Sequence, residues 1–94
     1  MAQDIEYEWD EAKRRANLER HGVDFALVEA FDWSAAETVD QSVRGERRHL
    51  SFGRIAGRVH ALVWTRRGEI IRVISLRKAN RRERHAFEEI HGAD

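Results

Sequence analysis

The chain has no cysteine and no proline in 94 residues, and only Lys13 and Lys78 interrupt an otherwise all-arginine set of 17 basic side chains. Without cysteine there is no disulfide framework and no thiolate zinc site. Glycine and capping residues therefore have to mark the turns. No segment approaches the roughly 18 consecutive apolar residues of a membrane helix. The opening MAQDIEYEWD carries neither a basic region nor a long apolar run, so the expected location is the cytoplasm, with no membrane partner. Internal repeats and low-complexity tracts are also missing.

What is present fits one small domain spanning residues 1–94. A domain of this size buries a modest core, so its three tryptophans and four phenylalanines weigh heavily. The net charge of zero hides an asymmetry. Residues 1–43 hold 4 basic and 11 acidic side chains, whereas residues 44–94 hold 13 and 6. Two halves of net −7 and +7 can simply neutralise each other in the fold. Yet the arginine fork also suits bidentate phosphate contacts, so the asymmetry points weakly to nucleic acid.

Ile5, Tyr7 and Trp9 alternate with Glu6 and Glu8, the period of a half-buried edge strand over residues 5–9. Asp10 caps a helix over 11–21 that His21 and Gly22 stop, with Ala12, Ala16 and Leu18 expected inward and Asn17 as a satisfied buried amide. Asp24 caps a second helix over 25–31 whose inner side is Leu27, Val28 and Phe31. Residues 32–44 read as a loop with a brief extended piece at Thr38 and Val39. Strands over 47–53 and 58–65 follow, joined by a hairpin loop at 54–57, and a turn over 66–69 leads onward.

Residues 70–89 organise the rest. Ile70, Ile71, Val73, Ile74 and Leu76 form a β-branched run fit for a central strand, into which Arg72, Ser75 and Arg77 intrude. Asn80 and Glu83 make a variant capping box at the start of a helix over 81–91, with Ala86, Phe87 and Ile90 inward. Arg77, Lys78, Arg81, Arg82 and Arg84 thus crowd a strand-to-helix corner that attracts phosphate. The element order is β-α-α-β-β-β-α. It specifies an α+β fold with helices packed on a small, mostly antiparallel sheet, one face covered and the other partly open.

Four pieces carry a likeness to a known family: EWDEAKRRANLERHGVDF at 8–25, GERRHLSFGR at 45–54, WTRRG at 64–68 and IRVISLRKANRRER at 71–84. In that order the chain resembles the BrnT toxins of type II toxin-antitoxin systems, which are related in fold to RelE-type ribonucleases. The resemblance implies an RNA-cleaving toxin that inhibits translation and is neutralised by a BrnA-like antitoxin, with operator DNA reached only through that antitoxin. Arg66 stands where the family commonly has an acidic residue, which adds positive charge to the turn.

Metal-free RNA cleavage needs a base for the 2′-hydroxyl, cations for the phosphoryl charge and an acid for the leaving oxygen. Glu46 and His49 are the base candidates, and the cations are Arg48, Arg67, Arg72 and Arg77, set on the open face of the sheet. Lys78, Arg81 and Arg82 are expected to bind RNA nearby. Arg77 has an alternative as a salt-bridge partner of Glu83 or Glu46. Trp64 and Phe52 suit the core better than base stacking, and His21 reads as part of a helix stop. His60, His85 and His91 form no metal-ligand spacing, so neither metal nor other cofactor is expected. The competing reading is a non-catalytic domain whose basic face docks nucleic acid or an acidic antitoxin.

Overall fold

The computed structural model describes residues 4–93. Five strands form one sheet in the order β1-β5-β4-β3-β2, comprising β1 (Tyr7–Glu8), β2 (Glu37–Asp40), β3 (His49–Ile55), β4 (Arg58–Arg67) and β5 (Ile70–Lys78). Helix α1 is Glu11–His21 and α2 is Arg81–His91. All neighbours are antiparallel except β1 and β5, where Tyr7 pairs with Ile71 and Glu8 with Arg72 in parallel. The α+β class and the mostly antiparallel sheet therefore hold, and the element order needs correction in two places.

The second helix is a 3₁₀ segment, Phe25–Ala30, capped by Asp24 accepting from the Ala26 amide at 2.9 Å. Three residues per turn set Phe25, Val28 and Phe31 in one line, and all three are buried. Leu27, expected inward on α-helical spacing, is instead 45% exposed. The stretch expected as a loop with an extended piece at Thr38 and Val39 holds a second 3₁₀ turn, Trp33–Ala35, and then β2, which extends that piece to Glu37–Asp40 and pairs it with Phe52 to His49. No local period announces that strand. Pairing with β3 makes it.

Helix α1 lies where the sequence puts it, but its anchor differs. Ala12, Ala16 and Leu18 are exposed, while Asn17 is 8% exposed. Its side-chain amide donates to the Leu76 carbonyl at 2.7 Å and the Val23 carbonyl at 3.0 Å, and its oxygen accepts from the Leu76 amide at 3.3 Å. β1 pairs with β5 only near Ile71 and Arg72, so the backbone of Leu76 would otherwise be an open sheet edge. Asn17 continues the ladder in place of a strand, as the buried-amide reading anticipates.

The hairpin between β3 and β4 is tighter than expected, with Ala56 and Gly57 at φ 50° and 82°. Two residues of positive φ match the twist of the flanking strands. Gly53 is required for a different reason, since a Cβ there would stand 2.5 Å from Cζ of Phe31.

On one face of the sheet Leu62, Trp64, Ile71, Val73 and Leu76 meet Val23, Phe25, Val28 and Phe31 in the main core. On the opposite face Phe52, Ala61 and Arg77 lie side by side across β3, β4 and β5, and α2 covers this end with Phe87. The Arg54 guanidinium sits 5.1 Å from the Phe87 ring centroid. Beyond α2 the second face is open, and the charged residues collect there.

Candidate nucleic-acid interface

Strand alternation decides which arginines share the open face. Thr65 pairs with Arg72, and Glu8 stands on the other side of Arg72, so the three cross the sheet in one row. Arg67, two residues beyond Thr65, points the same way. The Glu8 carboxylate lies between two cations: Arg72 Nη1 donates to its Oε2 at 2.9 Å, and Arg67 Nε stands 3.8 Å from the same oxygen. Glu8 and Arg72 are half-buried, which shields their attraction from water more than on an open helix surface.

Arg48 reaches this face from just before β3, where its carbonyl accepts from the Gln41 amide at 2.9 Å and prolongs the β2–β3 ladder. Its guanidinium bonds Glu46 Oε1 at 2.7 Å. His49 is directed to the opposite face, with its ring tilted against Trp64 at a centroid distance of 4.5 Å. Glu46 and Arg48 thus come together, whereas His49 is separated from the four candidate arginines by the sheet itself. Arg66 also lies with Trp64, 5.7 Å from its ring centroid, so its charge is added to the face away from Arg67.

Arg77 lies on the open face at the edge of α2 and grips Glu83 with both terminal nitrogens, at 2.8 and 3.0 Å. This is the salt-bridge alternative, made with Glu83 and not Glu46. Hydrogen bonding to Glu83 raises the Arg77 pKa, and the same contact holds the Glu83 carboxyl below its ordinary range. Glu83 simultaneously accepts from the Asn80 amide at 2.9 Å, while Asn80 accepts from the Glu83 amide at 2.8 Å. The capping box therefore fills the helix N-terminus that the sequence offered to phosphate. Lys78, Arg81 and Arg82 are exposed around this corner and, among the described residues, have no carboxylate within ion-pair distance. Lys78 pairs with His60 in register and so emerges on the face opposite Arg77.

A family model, ribonuclease toxin BrnT of type II toxin-antitoxin systems, matches residues 9–83. The chain belongs to the BrnT family. No individual curated protein matches it. The span matched by the BrnT model contains Glu46, Arg48, Arg67, Arg72, Arg77 and Lys78, and Glu8 falls immediately before it. In the sequence Glu8 is only outer charge on an edge strand, and its place between Arg67 and Arg72 emerges in the fold. Its spacing from Tyr7 puts it on the outer face, but its partners are set by β1 pairing in parallel with a strand 64 residues away. Among the described residues no three acidic or histidine side chains gather in a metal-holding group, and no helix is long and apolar enough to span a membrane.

Proposed function

We propose that this BrnT-family protein is an endoribonuclease that cleaves RNA on the open face of its sheet without a metal ion, and that it thereby inhibits translation. The observation that carries the reading is the Glu8 carboxylate held between Arg67 and Arg72, with Arg48 and Glu46 at the same end of the sheet. Neighbouring strands lie about 4.8 Å apart, so β3 and β5 place Arg48 and Arg72 on either side of a strip roughly 10 Å wide. An RNA strand laid across it brings a phosphate to the guanidiniums. Glu8 takes the 2′-hydroxyl proton, the 2′-oxygen attacks the adjacent phosphorus, and Arg72, Arg67 and Arg48 balance the charge that develops on the phosphoryl oxygens. The 5′-oxygen leaves, taking a proton from water while Glu8 returns its own to solvent, and the products are a 2′,3′-cyclic phosphate and a 5′-hydroxyl. The same reading takes β2–β5 with the terminal helix as a RelE-type ribonuclease scaffold.

The arginines already supply the cationic charge that a metal would bring, which supports metal independence. A BrnA-like antitoxin completes the reading: an acidic and apolar segment matches a basic face bordered by a trough between α2 and β2–β3 of about 420 Å³, lined by Val39, Phe52, Ala86, Phe87 and Ile90. Operator DNA is reached through that antitoxin.

The test is incubation of antitoxin-free protein with RNA in EDTA, beside folded Glu8→Gln and Arg72→Ala variants. Cleavage by the parent, with cyclic phosphate ends and its loss in both variants, is the expected result. Intact RNA with a folded parent overturns the enzyme reading, and cleavage that needs added magnesium overturns metal independence. A salt-dependent gel shift with intact RNA would leave the pure binding module in its place.

A further inference from the structure

Helix α1 turns polar groups toward the sheet where a packed helix ordinarily turns apolar ones. Lys13, Asn17 and His21 recur at four-residue spacing, Arg20 joins them, and together with Ser75 of β5 they line a groove of about 370 Å³. Its floor is fixed by the three Asn17 hydrogen bonds to Val23 and Leu76. A register shift in the β4–β5 ladder between Val63 and Trp64 pairs Val63 with Ser75 and Trp64 with Val73. Ile74 is thereby left over, and both Ile74 and Ser75 line the groove. Such bulges re-aim side chains.

No carboxylate among the described residues lines this groove. Among the described residues, Lys13 and Arg20 have no ion-pair partner, and Ser75 makes only a long contact of 3.5 Å to Asn17. Arg14, on the same helix but outside the groove, shows the alternative by bonding both Glu11 and Asp24. The Lys13 and Arg20 cations, gathered without a counter-charge, repel one another, and an anion seated between them removes that cost. A hydroxyl, an ammonium and a guanidinium converging on one cleft are the donor set for phosphate.

We propose that the groove between α1 and β5 binds a phosphodiester of the RNA strand, next to the one cleaved, with Lys13 and Arg20 supplying charge and Ser75 a hydrogen bond. This rests on the ribonuclease reading above. Ser75 lies three residues from Arg72 on β5, roughly 10 Å along the strand, so a chain crossing the arginine face continues into the groove. Lys13, Arg20 and Ser75 here are positioning residues for the substrate.

The test uses the full chain and a short 2′-O-methyl oligoribonucleotide, which lacks the attacking hydroxyl and so reports binding alone. Lys13→Ala and Arg20→Ala are each expected to weaken binding roughly tenfold and to lower the salt dependence of log K by about 0.7. Arg15→Ala, which removes the same charge from an exposed position of α1 outside the groove, is expected to stay within about twofold. Amide shifts on adding the oligonucleotide should include Lys13, Arg20 and Ser75. The groove assignment is overturned if the parent binds and cleaves RNA while Lys13→Ala and Arg20→Ala match it. It is equally overturned if all three variants lose affinity alike, which would mark a net-charge effect. A parent that binds the oligonucleotide through the groove but leaves unmodified RNA intact supports the groove and overturns the nuclease.

Discussion

Two cationic surfaces of this protein follow opposite rules. On the open face of the sheet every candidate arginine already holds a carboxylate: Arg48 with Glu46, Arg67 and Arg72 with Glu8, Arg77 with Glu83. In the groove between α1 and β5, no carboxylate among the described residues lines the cleft with Lys13 and Arg20. An ion-paired guanidinium is oriented and partly neutralised, so it meets a phosphate in fixed geometry but attracts it weakly from a distance. An unpaired cation attracts strongly and orients poorly. The difference fits a division of labour in which the face performs chemistry and the groove supplies grip.

The sharpest way to break the comparison is Glu8→Gln. Losing the proposed base is expected to lower the cleavage rate by about 10²–10⁴-fold, while affinity for the 2′-O-methyl oligonucleotide stays level or rises as a negative charge disappears. Cleavage assays and binding on the same preparation check both halves. A loss of affinity parallel to the loss of rate would return Glu8 to a structural role.

Asn17→Ala attacks the groove from beneath. The backbone groups of Leu76 and the carbonyl of Val23 lose their partner, with an expected cost of about 2–4 kcal/mol in urea unfolding. A change below about 0.5 kcal/mol would mean that α1 is not held by this amide.

A smaller effect is expected from the Arg77–Glu83 pair, where a double-mutant cycle with Ala and Gln should yield a coupling of about 1 kcal/mol. Because Arg77 depresses the Glu83 pKa, the contribution is complete above the carboxyl's ordinary value of 4.5 and fades as acid takes the solution through the lower folded-state value. Thermal melts of parent and Glu83→Gln should therefore converge below pH 4.5, and a gap that widens in acid contradicts the assignment.

Arg48→Ala is expected to do least to stability, within about 0.5 kcal/mol, since its partner Glu46 is exposed. Salt dependence of oligonucleotide binding should still fall by about 0.7. If the slope does not move, Arg48 is outside the RNA path.

Much of this arrangement was legible in the chain. The β5 run, the Asn80–Glu83 box, the α1 limits and the buried role of Asn17 all follow from side chains and their spacing, because each depends on neighbours within a turn or two. Leu27 was misplaced because six residues are too few to tell three per turn from 3.6. Of β2 only the brief extended piece at Thr38 and Val39 was legible, because Glu37, Thr38, Val39 and Asp40 carry no strand period and become a full strand only against β3. Arg67 and Arg72 could be named from sequence, but not the carboxylate between them. His49 looked like a neighbour of Arg48, and strand alternation sends it through the sheet to Trp64.

By itself, then, the sequence determined which segments become strands and helices at its strongest motifs, the placing of positive charge in the second half, and the BrnT-type motifs that the family match bears out. The tertiary structure alone decided the company those charges keep. Register between strands far apart in the chain put Glu8 beside Arg72 and Arg67, whereas the Arg77–Glu83 pair spans only six residues and was among the alternatives the sequence offered. The tertiary structure also left Lys13 and Arg20 facing Ser75 across an unneutralised groove. Contacts of that kind depend on which strands pair and which way each side chain alternates, and no local rule of spacing carries that information.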